Sequence, residues 1–449
     1  MRPVPQGRGR QRLRPVISTR GEKLSTRYAF VGLGHRARMY IDALLGDWRD
    51  TGTIVGLCDT NQTRMDYYAE RIGGEVPRFR PDEFGKLLEL ADAVVVTTVD
   101  ATHARYVVAA LDAGLDVIVE KPLTVDAEGC EAIAAAAERN PGKLVVTFNY
   151  RYSPRNSAVK RLISAGEIGD VTSVHFEWAL DTIHGADYFR RWHRDKVNSG
   201  GLLVHKSTHH FDLVNWWLAA APELVFAQTD LRFYGQALPR GPRPSRGQGA
   251  PGLGTDPFIL DISTDERLKR LYLDAEHEDG YIRDQDVFGP GVTIDDNMSV
   301  LVRYANRAML TYSLTAHAPS EGYRVVFNGT AGRVELEVCE RSWTPPHAAI
   351  DPSAATKQHA AGAWERLTLH RHWQEREEIP IEQGEGGHGG GDRLLLNDVF
   401  RGPSEDPLGR PAGYRDGIRS VLVGAAATRS AATGRAVRLT DDGTRLADA

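Results

Sequence analysis

The first third of the chain alternates short apolar runs with segments of helical periodicity. The apolar runs cover residues 28–31, 54–58, 93–97, 116–119 and 144–148. The first helical segment between them ends near residue 45, and the later ones cover residues 63–72, 82–90, 104–113 and 126–139. Strands and helices that alternate through short connections form parallel sheets with helices on both faces. The sequence therefore predicts an α/β fold with a doubly wound parallel sheet.

Polar residues follow four of these predicted strands, at the point where each strand ends. They are a glycine turn, Asp59, Thr98 with His103, and Glu120 with Lys121. Open parallel sheets bind their ligands outside the carboxyl ends of the strands. Four such loops on one sheet edge predict a ligand site there.

The glycine turn has the spacing Gly-x-Gly-x-x-Ala over residues 32–37, between a strand and a helix. Glycines allow the backbone to turn tightly and to approach a pyrophosphate, and the helix N-terminus supplies free N–H groups. We therefore expect dinucleotide contacts from Gly32, Leu33, Gly34, His35 and Arg36.

Asp59 ends the second strand. A carboxylate at this place accepts hydrogen bonds from the adenosine ribose and repels a 2′-phosphate. The sequence thus favours NAD over NADP, although Arg64 nearby weakens that preference. Capping of the following helix is the alternative role for Asp59.

The run Glu120-Lys121-Pro122 follows a buried strand. Proline ends the strand because it has no N–H to donate. A lysine at this edge can hold a substrate hydroxyl, or take its proton if the lysine pKa is lowered. A surface ion pair between Glu120 and Lys121 is the alternative.

Composition limits the class of protein. The chain has 449 residues, of which 41% are apolar and 26% charged, and its formal net charge is −5. That charge argues against general nucleic-acid binding, and no apolar run is long enough to span a membrane. Three distant cysteines indicate a reducing compartment, so a cytoplasmic location is expected. Residues 1–24 are basic and glycine-rich and are predicted to be a disordered extension.

A second region, predicted to cover residues 151–449, follows a first domain at 25–150. Residues 187–194 are dense in arginine and aromatic side chains. Such a segment suits a neutral or anionic sugar, although a nucleic-acid contact or an interface segment fits the same composition. Expected substrate contacts are Arg151, Tyr188, Arg190, Arg191 and His193.

His205 and His209 follow a double glycine at 200–201. Their i, i+4 spacing places both on one helix face and would suit a metal pair. Lys206 would repel a cation, and no third ligand is near in sequence, so no metal is predicted. Both histidines are instead candidate catalytic and substrate-binding groups.

The remaining sequence is less regular. Residues 236–254 are rich in Pro, Gly and Arg, show no packing pattern and are predicted to be an inserted loop. Alternation predicts half-buried strands at 298–304, 308–315, 323–328 and 332–338. The glycine-rich segment 384–391 with His388 is predicted to be a lid or a linker, Asp392 opens a helix, and a helix follows at 416–432.

Residues 27–220 resemble the Gfo/Idh/MocA family of nicotinamide-dependent sugar and polyol oxidoreductases. The motifs are Val-Gly-Leu-Gly-His-Arg-Ala, Thr-Thr-Val-Asp-Ala-Thr-His, Glu-Lys-Pro-Leu and Asn-Tyr-Arg-Tyr-Ser-Pro. The resemblance implies a Rossmann domain, then a C-terminal α/β domain on an open, mostly antiparallel sheet. It also implies association into a homodimer or homotetramer through that sheet, because an apolar sheet face needs a cover.

The resemblance assigns roles residue by residue. Lys121 matches the lysine that contacts the substrate hydroxyl, Asn149 matches a residue near the nicotinamide, and His209 keeps a candidate acid/base position. Two positions depart from the pattern: Val99 stands where proline is frequent, and His205 stands where aspartate is common. The second change alters the charge beside the reacting hydroxyl.

The expected function is an NAD(H)-dependent oxidoreductase that transfers a hydride to or from a secondary hydroxyl of a sugar, polyol or glycoside. Lys121 and His209 would polarise or deprotonate that hydroxyl. Two alternatives remain open. One is a redox-neutral glycosidase that uses bound NAD for oxidation, elimination and hydration; the other is a non-catalytic NAD or sugar sensor.

Overall fold

The computed structural model describes residues 25–140, 142–344, 346, 362–382, 390–403 and 405–447. The predicted N-terminal extension and the predicted loop around His388 lie outside these residues.

The N-terminal half forms a six-stranded, fully parallel sheet with the order β3-β2-β1-β4-β5-β6. This is the Rossmann order, with the switch point between β1 and β4. Its strands are β1 (Thr26–Val31), β2 (Gly52–Cys58), β3 (Arg78–Phe79), β4 (Ala93–Val96), β5 (Asp116–Val119) and β6 (Leu144–Val146). The doubly wound parallel sheet predicted from the sequence is confirmed.

Five helices accompany this sheet: α1 (Ala37–Leu45), α2 (Gln62–Ile72), α3 (Phe84–Leu88), α4 (His103–Asp112) and α5 (Ala127–Arg139). Helix α2 is capped by Asn61, whose side chain accepts from Arg64 N. The alternative role of Asp59 as the cap of this helix is therefore wrong. Asp59 instead accepts from Asn61 N, two residues further on.

The C-terminal half is built on a nine-stranded sheet with the order β14-β13-β12-β11-β7-β10-β9-β8-β15. Only the β7–β10 pair is parallel within the described strands, so the prediction of a mostly antiparallel sheet is confirmed. The strands are β7 (Val171–Asp181), β8 (Pro222–Asp230), β9 (Asn297–Tyr304), β10 (Met309–Ala318), β11 (Glu321–Gly329), β12 (Gly332–Arg341), β13 (Trp364–Arg371), β14 (Glu377–Ile379) and β15 (Val437–Arg438).

One face of this sheet packs against helices and is buried, with Phe176 and Tyr312 on it contacting Phe211 and Trp217 of a central helix. The helices of this half are α6 (Pro154–Ser164), α7 (His184–Arg190), α8 (Lys196–Ser199), α9 (Leu202–His205), α10 (Thr208–Leu218), α11 (Glu266–Leu268), α12 (Glu276–Asp279), α13 (Gly391–Arg401) and α14 (Tyr414–Thr433). Helix α13 begins beside Asp392, as predicted.

The other sheet face is exposed, as in β9, where every second residue points to it and is exposed. Phe226 and Leu301 are cross-strand neighbours on this face, and both are exposed, as is Met309. Ion pairs such as Arg324 with Glu335 occupy other parts of it. The face is therefore mixed, with a small apolar area on β8, β9 and β10.

Residues 236–254 form turns and bends, but they are packed. Arg246 donates to Glu276 and to the buried carboxylate of Asp284, and Arg243 pairs with Asp286. The sequence shows no packing pattern in this loop because these carboxylates lie 30 to 43 positions away from the arginines that bind them.

Residues 262–281 form short helical turns that reach back onto the Rossmann domain, and we call them the cover segment. Ala275 O accepts from the Asn61 side chain, and the Glu278 carboxylate accepts from the backbone of Gln62 and Thr63. The cover segment thus lies against the start of α2, beside the predicted nucleotide site.

Candidate active site

A cavity of about 1080 Å³ lies between the two halves of the chain. It extends from the glycine turn after β1 to side chains of β11 and β12. Most residues predicted from the sequence line it: Gly32, Gly34, His35, Arg36, Asp59, Thr98, His103, Glu120, Lys121, Asn149, Tyr188, Arg191, His193, His205 and His209. Leu33, Arg151 and Arg190 are not among its lining residues.

The glycine turn is held tightly. Gly32 has φ +84°, and a Cβ there would lie 2.5 Å from Thr98 N, so no larger residue fits without a shift. Leu33 N donates to Asp59 Oδ2 at 2.6 Å, and His35 N donates to Tyr272 Oη at 2.9 Å. The turn is therefore fixed by the loop after β4, by Asp59 and by the cover segment.

Asp59 and Arg64 lie at the adenosine end expected for such a turn. The Arg64 guanidinium is 2.7 Å from Asp279 Oδ2 and 3.8 Å from Asp59 Oδ1, and it packs against the rings of Tyr272 and Tyr281. Burial raises the pKa of Asp59, whereas the positive charge of Arg64 opposes that rise. Arg64 therefore already forms ion pairs with two carboxylates.

These residues fit a nicotinamide dinucleotide. Gly32 leaves no room for a Cβ, the N-terminus of α1 follows directly, and a carboxylate stands at the end of β2. Backbone close approach, a helix N-terminus and a strand-end acid are the features that hold a pyrophosphate and a ribose.

Glu120 and His103 position the turn that carries Lys121. The Glu120 carboxylate accepts from Arg36 Nε and from Tyr40 Oη. The ring nitrogens of His103 lie 2.8 Å from Pro122 O and 3.1 Å from Thr98 O. Burial lowers the pKa of His103, and the two carbonyls oppose part of that shift. His103 therefore joins the loop after β4 to the loop after β5.

The ammonium group of Lys121 lies in the middle of the cavity and donates to the carbonyl oxygen of His205 at 3.0 Å. Burial lowers the pKa of Lys121 to about 8, and the nearby Asp100 carboxylate opposes part of that change. A lysine with this pKa can exchange a proton with a substrate near neutral pH.

Asp100 is a site residue that the sequence analysis missed. Its carboxylate lies 2.5 Å from Nδ1 of His205, and both side chains are buried. Burial lowers the pKa of His205 well below its usual range and raises that of Asp100. An acidic group thus stands beside Lys121 although position 205 is a histidine. The motif around Thr98 and His103 contained Asp100, but no local pattern pairs it with residue 205.

His209 is buried on α10 and stacks on the ring of Tyr150, with ring centroids 4.3 Å apart. Phe148 contacts the same imidazole edge-on. Asn149, between these two aromatic residues, donates its side-chain amide to Asp392 at 2.8 Å. The loop after β6 therefore orients His209 and connects it to α13.

The aromatic and basic segment 187–194 divides into two groups. Tyr188 and His193 line the cavity and contact the His205 ring edge-on, and Arg191 there pairs with Asp187. Arg190 instead donates to Phe258 O, away from the cavity lining.

Arg151 is buried and binds Asp212 through two hydrogen bonds, at 2.8 and 2.6 Å. The structure thus places Arg151 and Arg190 in internal ion pairs and carbonyl contacts, not at the cavity. Their partners lie 61 or more residues away in sequence, so composition alone suggested substrate contacts.

Across the described residues, no three His, Cys, Asp or Glu side chains are grouped as metal ligands are. The same residues contain no helix long and apolar enough to cross a membrane.

Similar proteins were found for both halves. Residues 26–148 match the model described as "Oxidoreductase family, NAD-binding Rossmann fold", and residues 160–439 match "Oxidoreductase family, C-terminal alpha/beta domain". A Bacillus subtilis (strain 168) protein named "Putative oxidoreductase YteT" is 36% identical over 422 residues, which cover 90% of this chain and 95% of that protein. Inositol 2-dehydrogenase of Rhizobium meliloti (strain 1021) is 28% identical over 204 residues, covering 45% of this chain and 58% of the relative.

Solved structures share the fold. Levoglucosan dehydrogenase in complex with NADH and levoglucosan gives a TM-score of 0.62 at 18% identity, with 92% of this chain and 99% of that chain covered. Aldose-aldose oxidoreductase from Caulobacter crescentus gives 0.60 at 18% identity, with 92% and 100% covered. The two matched models together with the long YteT alignment show that this chain belongs to the Gfo/Idh/MocA family of NAD-binding oxidoreductases.

Proposed function

We propose that the protein is an NAD(H)-dependent dehydrogenase that oxidises, or forms by reduction, a secondary hydroxyl of a sugar, polyol or glycoside. One observation carries this proposal: a single cavity contains both the dinucleotide-type glycine turn and a lysine whose pKa is lowered to about 8. The name of the inositol 2-dehydrogenase relative supports a polyol-like substrate.

NAD, when bound, takes up the hydride that leaves the substrate carbon. The O–H bond of the hydroxyl on that carbon must break as well, and the neutral form of Lys121 accepts the proton. The His205 carbonyl holds the Lys121 ammonium, and Asp100 holds the His205 ring. His209, fixed by its stack on Tyr150, is the second group able to orient the hydroxyl.

We also propose a preference for NAD over NADP. A 2′-phosphate beside Asp59 would meet a like charge, and Asp279 adds a second carboxylate at 2.7 Å from Arg64. Arg64, the one residue that weakened this preference in the sequence, already binds these two acids. Because like charges repel strongly in a partly buried site, the adenosine end disfavours the phosphorylated cofactor.

One observation favours the redox-neutral glycosidase as a second candidate. The cover segment lies over the cofactor end, where Tyr272 accepts from His35 N and Glu278 accepts from two backbone N–H groups of α2. Such a cover would slow cofactor exchange. A reaction that returns its hydride within one turnover needs no exchange, so this arrangement suits it.

The test is a panel of hexoses, inositols and glycosides incubated with the protein and either NAD or NADP. We expect reduced cofactor to accumulate with at least one compound and NAD. The matched pair is Lys121→Ala, which should abolish that signal, and Lys86→Ala on the exposed surface, which should retain it. Tight binding of a sugar and NAD without any turnover would instead favour the sensor and contradict this proposal.

A further inference from the structure

Lys206 is a buried cation that the proposed reaction does not use. It lines the cavity and is 3% exposed. Its Nζ donates to Tyr150 Oη at 3.2 Å and lies over the rings of Trp178 and Tyr150, 4.8 and 5.4 Å from their centroids. Within the described part of the chain, no carboxylate forms an ion pair with it. An ammonium has three donors, and here they meet one neutral hydroxyl and two aromatic faces, while the Glu321 and Glu340 carboxylates act on it only through space.

The other charged groups at this end of the cavity already have partners. Glu340 pairs with Arg155, and Arg341 binds Asp181 at 2.6 Å. Glu321 accepts from Asp181 N at 2.7 Å and lies 2.8 Å from the His184 ring. The carboxylates that act on Lys206 through space thus use their hydrogen bonds on other groups, and none of them contacts its ammonium directly.

The arginines expected to hold an anionic substrate already bind groups of the protein itself. Arg191 binds Asp187, and Arg151 binds Asp212. Arg190 donates to a backbone carbonyl outside the cavity lining. Lys206 is therefore a candidate anion-binding group that the sequence did not indicate.

Lys206 is also close to the reacting centre. Lys121 donates to the carbonyl of His205, the residue directly before Lys206. A substrate that touches Lys121 through a hydroxyl can therefore reach Lys206 with another substituent of the same ring.

From this geometry we infer that Lys206 binds a carboxylate on the substrate, so that the preferred substrates are acidic sugars of the uronic type. A buried ammonium that lacks a direct ion pair is costly, and a ligand carboxylate in contact with it supplies that pair. Burial lowers the pKa of Lys206 to about 8, and a bound carboxylate should raise it again. This inference rests on the proposed sugar-binding function and adds the substrate class.

The test measures binding, so it does not depend on turnover. Protein loaded with NADH is titrated calorimetrically with glucuronate and galacturonate, with the matched neutral hexoses, and with the uncharged hexuronamides. We expect at least one uronate to bind about tenfold to a hundredfold more tightly than its two neutral counterparts, as expected for a charge-assisted hydrogen bond. Binding at pH 8 to 8.5 should take up a fraction of a proton from the buffer, because the Lys206 pKa rises.

Lys206→Met keeps the length of the side chain and removes the charge, and it should abolish both the preference and the proton uptake. Lys196→Met, which removes an exposed lysine paired with Asp295 outside the cavity lining, is the control and should change neither. If Lys206→Met fails to fold, Lys206→Gln and the proton uptake of the native protein decide the question.

Equal binding of uronates and hexoses, no uronate binding, or a preference kept in Lys206→Met would overturn the inference. If uronates bind through Lys206 but no reduced cofactor forms from NAD in the activity panel, the carboxylate subsite is supported and only the proposed dehydrogenase activity is contradicted.

Discussion

Replacing Lys121 is the perturbation whose outcome the site geometry defines best. With a pKa of about 8, the Lys121 side chain is a neutral amine in roughly 10% of protein molecules at pH 7, whereas an ordinary lysine is neutral in roughly 0.03%. The buried site thus supplies about 300 times more base at neutral pH. General-base catalysis contributes about a hundredfold to ten-thousandfold, so Lys121→Ala should lower kcat for oxidation by about a hundredfold or more.

The pH dependence of the oxidation rate shows which protonation state of Lys121 is active. The base acts in its deprotonated form, so oxidation should rise with pH through about 8 and then level off. Lys121→Arg keeps the positive charge but cannot deprotonate, so it should stay inactive over the same range. Steady-state kinetics from pH 6 to 10 measure this, and calorimetry with NAD should show nearly unchanged cofactor binding in both variants. Full activity of Lys121→Ala on any substrate of the native protein would refute the assignment.

Three further predictions follow from the same site and sheet. Calorimetric titration should show that NAD binds more tightly than NADP, and Asp59→Ala should reduce this difference in affinity. Tighter NADP binding by the native protein would contradict the role of Asp59. His209→Ala should lower kcat about a hundredfold or more, and His205→Ala less, since His205 contacts Lys121 through its backbone; equal losses in steady-state assays would count against this division of roles. The exposed Phe226 and Leu301 should lie in a homodimer or homotetramer interface, so Leu301→Glu should shift sedimentation towards the monomer; a native protein that is monomeric at micromolar concentration would disprove this.

The Rossmann half could be predicted because its signals are local. Apolar runs such as that of β4 are buried along their whole length, and the glycine turn, Asp59 and Lys121 each directly follow a strand. A parallel sheet brings successive strand ends to one edge, so spacing along the chain was sufficient to group these residues.

Long-range pairing is what the sequence did not reveal. Asp100 meets His205 across 105 positions, and Tyr272 meets His35 across 237. Arg151 was expected at the substrate because of its charge, but its bond to Asp212 shows that a buried arginine is as readily satisfied internally. Lys206 was considered only as a charge that repels metals, because its hydrogen bond to Tyr150 spans 56 positions and exists only in the fold.

The most direct test of the central claim compares the amount of reduced cofactor with the amount of product formed in one reaction. The protein is incubated with NAD and a substrate from the panel in deuterated water, and reduced cofactor, carbohydrate products and carbon-bound deuterium are measured together. A dehydrogenase should form reduced cofactor and oxidised product in equal amounts, with Lys121→Ala forming neither. Free sugar released from a glycoside without net reduced cofactor, with deuterium at the carbon next to the oxidised one, would contradict the dehydrogenase and establish the redox-neutral reaction.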